Sequence, residues 1–222
     1  MGFGDFLHRL YTALDKGLPG EQAQMLMAPY GRKSLKELSF DSMNPKIGAT
    51  LLLFYPKDDT VKSILIKRPV YNGTHSAQVS FPGGKFDQTD DNLKQTALRE
   101  TQEEVGCLSE SVQIITELTQ VYIPPSNFLV SPFLGFCDSA PDFVANDREV
   151  DRIIEFDLSL ILKKETVQKG RIKLSNNLVV ETPYFSIENE VVWGATAVVL
   201  AEFKVLLERE GFKPEELYFP TF

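Results

Sequence analysis

Histidine and cysteine are scarce in this chain, and the scarcity narrows its chemistry. Only His8 and His75 are histidines among 222 residues, so neither a histidine-rich metal site nor an HExxH site is available. The two cysteines, Cys107 and Cys137, form no CxxC pattern and no disulfide framework. A thiolate zinc site is thereby disfavoured, and both are expected as small buried apolar residues. No apolar run approaches the ~18 residues of a membrane span. Basic clusters are missing too: 23 Lys and Arg stand against 31 Asp and Glu, a formal net charge of −8. Nucleic acid and anionic membranes, which call for clustered cations, are therefore poor partners. The opening residues lack the basic-then-apolar order of a secretory signal. Phe6 stands where a myristoylation site wants Ser or Thr, and Pro220-Thr221-Phe222 is no peroxisomal address. A reducing cytoplasm is the expected compartment.

What is present reads as an ordinary globular chain, 43% hydrophobic and 24% charged. Phe3, Phe6, Leu7, Leu10, Tyr11 and Leu14 recur at helical spacing, and Gly17 and Pro19 close that helix. Residues 1–40 are expected to form a helical extension packed on a main domain of residues 41–222. Ile47 to Tyr55 and Val61 to Lys67 read as strands joined at Lys57-Asp58-Asp59. Pro82-Gly83-Gly84 is a breaker, followed by a helix from about Asn92 to Val105 that Gly106 ends. Val112 to Val121 and Phe128 to Cys137 read as further strands, and Val150 to Leu162 as a strand running into a helix. Arg171 to Ile187 reads as a hairpin turning at Asn176-Asn177, and Gly194 to Glu210 as a long apolar helix stopped by Gly211. Irregular alternation with several hairpins predicts an α/β (α+β) fold with a mixed sheet.

The chemistry concentrates in Phe81-Pro82-Gly83-Gly84-Lys85-Phe86-Asp87 and the helix holding Ala97-Leu98-Arg99-Glu100-Thr101-Gln102-Glu103-Glu104-Val105-Gly106. At ~100° per residue, Glu100, Glu103 and Glu104 fall within one arc, while Leu93, Ala97, Leu98, Thr101 and Val105 fill the adjoining one. Three carboxylates on one side repel each other unless solvent screens them or a divalent cation sits among them. Hard oxygen ligands suit Mg²⁺ or Mn²⁺. An RExxEE run alone is common on solvated helix faces, and a glycine pair alone is commonly a turn. Together they carry more, because Gly83 and Gly84 let backbone approach a metal or a diphosphate just upstream of the acids.

These residues resemble the Nudix box, GX5EX7REUXEEXGU with U aliphatic. Gly84, Arg99, Glu100, Glu103, Glu104 and Gly106 have counterparts in it. The step from Gly84 to Arg99 is one residue longer than in the common box, its first Glu becomes Asp90 or Asp91, and Cys107 takes the last aliphatic place. The longer loop is similar to that of the coenzyme A diphosphatases of the family. So are Leu65-Ile66-Lys67-Arg68, His75 to Phe81, Phe128 to Gly135, Glu149-Val150 and Val192 to Ala197. Gly73 stands where that subfamily has Arg, and Ala77 where it has Gly.

The resemblance implies a Nudix-type α/β/α sandwich and hydrolysis of a diphosphate bond in a nucleotide-derived small molecule, with Mg²⁺ or Mn²⁺ as cofactor. It implies Glu100 and Glu104, then Glu103, as metal ligands, with the Gly84 carbonyl as a further one. Glu149 and Glu103 compete as general base, although Glu149 also fits a plain surface charge run. Arg99 is placed with the catalytic residues, either pairing with a carboxylate such as Asp90 or touching substrate. Arg68, His75, Gln78 and Gly83 are the substrate-side candidates. Two substrate classes stay open: coenzyme A or acyl-coenzyme A, and ADP-ribose, a dinucleotide or a nucleotide sugar. A non-catalytic Nudix-like binding module is the third alternative, and an oligomer is left open.

Overall fold

The computed structural model describes residues 2–71, 75–173 and 179–219. The chain opens with α1 (Phe3–Asp15), followed by the one-turn helices α2 (Glu21–Gln24) and α3 (Phe40–Met43). Then come β1 (Lys46–Lys57), β2 (Thr60–Lys67), the short strands β3 (Val79–Ser80) and β4 (Gly83–Lys85), and α4 (Leu93–Val105). After α4 run β5 (Gln113–Glu117), β6 (Val121–Ile123), β7 (Phe128–Phe136) and β8 (Arg152–Asp157). The chain continues with β9 (Val167–Lys173), β10 (Val179–Ile187), β11 (Glu190–Val192) and α5 (Gly194–Arg209).

β1 organises the molecule. It pairs antiparallel with β2 and β4 and parallel with β7, so the eight-stranded sheet is mixed, as expected. Its side chains alternate between two cores, because successive residues leave opposite faces of a strand. Ala49, Leu51, Leu53 and Tyr55 join Ile64, Ile66, Ala97 and Val105 beneath α4. Leu52 and Phe54 join residues of α1 and α5 on the other face. Burial on both faces explains why the strand reads as one continuous apolar run. The β1–β2 turn puts Asp58 and Asp59 at φ 51° and 57°, which a two-residue type I′ hairpin turn requires.

On the second face, Phe6 packs edge-on against Phe54 at 5.4 Å and against Phe212 at 5.5 Å. Phe6, Leu10 and Ala13 are buried, whereas Tyr11 of the same expected stripe is exposed. A smaller antiparallel sheet, β11-β10-β9, contributes Phe185, Ile187 and Val192 to this core. The helices α4 on one face and α1 with α5 on the other give the α/β/α layering. Among the described residues no helix is long and apolar enough to cross a membrane.

Three expectations need correction, and a fourth is met except at its turn. The Pro82-Gly83-Gly84 breaker runs directly into a strand: Gly83 and Gly84 face Thr50 and Ala49 in register, and the Pro82 carbonyl accepts the Leu51 N–H at 2.9 Å. The single strand expected from Val112 to Val121 is two, β5 and β6, each pairing with a different stretch of β7. Between them Thr119 turns its N–H and hydroxyl to the buried carboxylate of Glu202 on α5, which takes the backbone off the ladder. The helix expected up to Leu162 is one turn of 3₁₀ helix, Leu158–Leu162. The hairpin over Arg171 to Ile187 is present as β9 and β10, but its Asn176-Asn177 turn lies outside the described residues, as does Gly73.

Candidate functional site

α4 starts where the Asn92 side chain accepts the Gln95 N–H at 3.0 Å and stops at Gly106, whose φ of 72° is the left-handed conformation glycine adopts freely. Between these ends the three glutamates meet three different environments. Glu103 is exposed, Glu100 half-buried, and Glu104 only 2% exposed. One helical face thus runs from solvent into the core. Glu104 Oε2 accepts the Gly83 N–H at 2.8 Å, and its Oε1 lies 3.5 Å from Nη2 of Arg68. Burial raises its pKa to about 7, and the charges of Glu100 and Glu149 push the same way against the pull of Gly83 and Arg68. Glu100 is likewise raised, by burial first, with Arg99 opposing and Glu103 and Glu149 adding to the rise. Glu149 is exposed, but its charge is felt at both acids.

Arg99 ties this helix to the loop before it. Nε and Nη2 donate to the two oxygens of Asp90 at 2.8 and 2.9 Å, Nη2 also to the Lys85 carbonyl at 3.2 Å, and Nη1 to Glu100 and Glu103 at 2.9 and 3.0 Å. Arg99 holds the Asp90 carboxyl far below the usual carboxylate range, although burial opposes it. Asp90 also accepts the Asp87 N–H and the Thr96 hydroxyl, so the longer loop is fixed from three sides.

The glycines are there for space. A side chain at Gly84 would run into the Glu100 carboxylate, and one at Gly83, φ 148°, into the Ala49 carbonyl and Thr50. Gly48 was not singled out in the sequence, yet a side chain there would press on the Gly84 carbonyl. A lone glycine within an apolar strand was the available signal. His75 Nδ1 and Gln78 Oε1 are 2.9 Å apart, and the Gln78 carbonyl accepts the Arg68 N–H at 3.0 Å. Ala77, where the coenzyme A pattern has glycine, keeps a left-handed φ of 56°. Trp193 is half-buried at the start of α5, and Cys107 and Cys137 are both buried and free.

Among the described residues no three of His, Cys, Asp and Glu are already gathered tightly enough to hold a metal ion. Glu100 and Glu103 are held by Arg99, and Glu104 faces Arg68. The donor set still suits a hard divalent cation: acids driven toward the neutral form by burial and each other, beside a strand stripped of side chains.

A family model described as the NUDIX domain matches residues 45–177, more than half of the chain. The chain belongs to the Nudix domain family. A relative in Arabidopsis thaliana, Nudix hydrolase 15, mitochondrial, is 30% identical over 168 residues, covering 72% of this chain and 58% of that protein. An uncharacterized Nudix hydrolase NudL of Yersinia pestis (strain Pestoides F) is 31% identical over 138 residues, 62% of this chain and 68% of its own. Among solved structures, a MutT/nudix family protein from Enterococcus faecalis aligns with TM-score 0.49 at 17% identity, over 82% of this chain and 73% of that one. In Nudix terms, Arg99 and Asp90 brace the box loop while Glu100, Glu104 and Gly84 line the box's strand–helix seam.

Proposed function

We propose that this Nudix chain hydrolyses the diphosphate bond of coenzyme A or a short acyl-coenzyme A, releasing 3′,5′-ADP and a phosphopantetheine, with Mg²⁺ or Mn²⁺ as cofactor. The carrying observation is Glu104, buried against the Gly83 N–H with Glu100 and Glu149 close enough to raise its pKa. A buried acid in such company gains most from a cation. Glu100 and Glu104 would hold it, with Glu103 and the Gly84 carbonyl as further donors. When bound, the cation neutralises diphosphate charge and makes phosphorus more open to attack by water. Arg68, beside Glu104, binds a phosphate oxygen. Glu149 accepts the proton of the attacking water, since its charge reaches both acids while Glu103 is bound to Arg99. Arg99 works through Asp90, holding the loop and the helix in register. His75, Gln78 and the Gly83 backbone line the substrate side. The longer loop and Val192 to Ala197 favour the coenzyme A reading, whereas Gly73 and Ala77 favour ADP-ribose, although Ala77 keeps the left-handed φ that glycine would supply.

The test is a panel of coenzyme A, acetyl-coenzyme A, ADP-ribose, dinucleotides and nucleotide sugars with Mg²⁺ or Mn²⁺, read by product masses. Coenzyme A should lead in kcat/KM. A tenfold advantage for ADP-ribose would leave only the general diphosphatase function, and no turnover of any member would point to a binding module.

A further inference from the structure

On the sheet face opposite Glu104 lies a second charged cluster. Lys67 ends β2 and Arg152 begins β8, and the two are direct partners in the antiparallel register. Like charges directly opposite each other on one face of a sheet are unfavourable. Here Glu190 of β11 bonds both: Lys67 Nζ donates to its Oε1 at 2.9 Å, and Arg152 Nη2 donates to the same oxygen. One carboxylate thus serves two cations, leaving a positive charge over. The exposures are ordered as well. The Arg152 side chain is 54% exposed and that of Lys67 29%, whereas Glu190 is 16% exposed, so both cations are more open to an arriving anion than the carboxylate is.

The location ties the cluster to the site. Lys67 immediately precedes Arg68, whose guanidinium faces Glu104, and Arg152 follows Glu149 by three residues. A strand residue advances ~3.3 Å and alternates faces, so Lys67 and Arg68 straddle the end of β2. We propose that Lys67 and Arg152, propped by Glu190, form an anion subsite that takes a phosphate monoester carried by the substrate beside its diphosphate. The subsite rests on the proposed diphosphatase function and deepens it, since the 3′-phosphate of coenzyme A is such a group.

Binding of 3′,5′-ADP and of 5′-AMP to the full chain, measured by calorimetry, tests this without turnover. The wild type should prefer 3′,5′-ADP by roughly tenfold or more, the scale of a charge-assisted hydrogen bond. Arg152→Ala and Lys67→Met should each pull that ratio toward one. Glu190→Gln, which frees both cations, should raise it, whereas a purely structural ion cluster would make this variant as harmful as the other two. Equal wild-type affinity for both ligands, or a preference untouched by Arg152→Ala and Lys67→Met, overturns the subsite. A preference that tracks these variants in a protein that leaves coenzyme A intact keeps the subsite and removes the substrate reading. Cleavage of coenzyme A with no such preference does the reverse.

Discussion

Asp90 and Arg99 meet through two parallel hydrogen bonds, Nε to Oδ1 at 2.8 Å and Nη2 to Oδ2 at 2.9 Å, with the Asp90 side chain almost fully buried. This bidentate pair is the link between the lengthened loop and the helix that carries the acids. Asp90→Ala takes the bidentate partner from the guanidinium, leaving it Glu100, Glu103 and the Lys85 carbonyl, and leaves the Thr96 hydroxyl only the Asn92 carbonyl. Breaking a buried pair costs about 3–5 kcal/mol, and because Arg99 is 26% exposed the loss should fall toward the lower end. Urea melts should show it, together with a fall in turnover at saturating metal. Unchanged stability would mean the loop is held elsewhere.

Glu104 should make the metal-free protein less stable as pH rises. Its folded pKa is about 7 against an ordinary value of 4.5. Between those values the folded state binds more protons than the unfolded state, so unfolding free energy falls across that window and stays low above it. The full penalty is roughly 3 kcal/mol. Glu104→Gln should remove the slope, melt higher than wild type at pH 8 without metal, and lose most turnover. Parallel pH-stability curves for the two proteins would contradict the assignment.

Activity should rise with pH through about 7, because a protonated Glu104 is a poor metal ligand. Raising Mg²⁺ should move that acid limb of kcat/KM to lower pH, since cation and proton compete for one carboxylate. A limb indifferent to metal concentration would assign it to another group.

Ala77→Gly should stabilise the protein by about 1 kcal/mol. Ala77 holds φ 56°, a conformation that costs a residue with a side chain roughly 1–2 kcal/mol. Glycine's greater freedom in the unfolded chain offsets part of the gain. Denaturant melts decide the sign.

Glu202 is buried on α5 and accepts from Gln24, Gly20 and Thr119, joining the N-terminal segment to the β5–β6 crossing. Glu202→Ala leaves those donors without their acceptor, at about 1–3 kcal/mol each where burial is complete. Limited proteolysis should then cut within residues 1–40 before the rest. Wild-type resistance there would show that the apolar contacts of α1 suffice.

How much could be read in the sequence depended on how local each cause is. β1, the Asp58-Asp59 turn and α4 with its Asn92 and Gly106 ends follow from residues within a turn of one another, and all were legible. So was the acid–glycine constellation, because its members are neighbours in sequence. β4 was not, since its pairing depends on Thr50 and Ala49 on a distant strand. The β5–β6 interruption depends on Glu202, 83 residues beyond Thr119. The space Gly48 leaves for the Gly84 carbonyl and the meeting of Lys67 with Arg152 are matters of strand register, which periodicity alone does not fix.

The position of β1 between two cores also sets an order of disassembly. Residues 49, 51, 52, 53, 54 and 55 are all fully covered, and the chain leading into them, Gly48 to Thr50, is the surface on which Gly83 and Gly84 are seated. Amides of Leu51 to Tyr55 should therefore exchange with deuterium only through global opening, while α1 and the small sheet can loosen first. A partly melted molecule would shed its outer layers and still carry an intact glycine–glutamate seam. Catalytic capacity and the first calorimetric transition would then part company on heating.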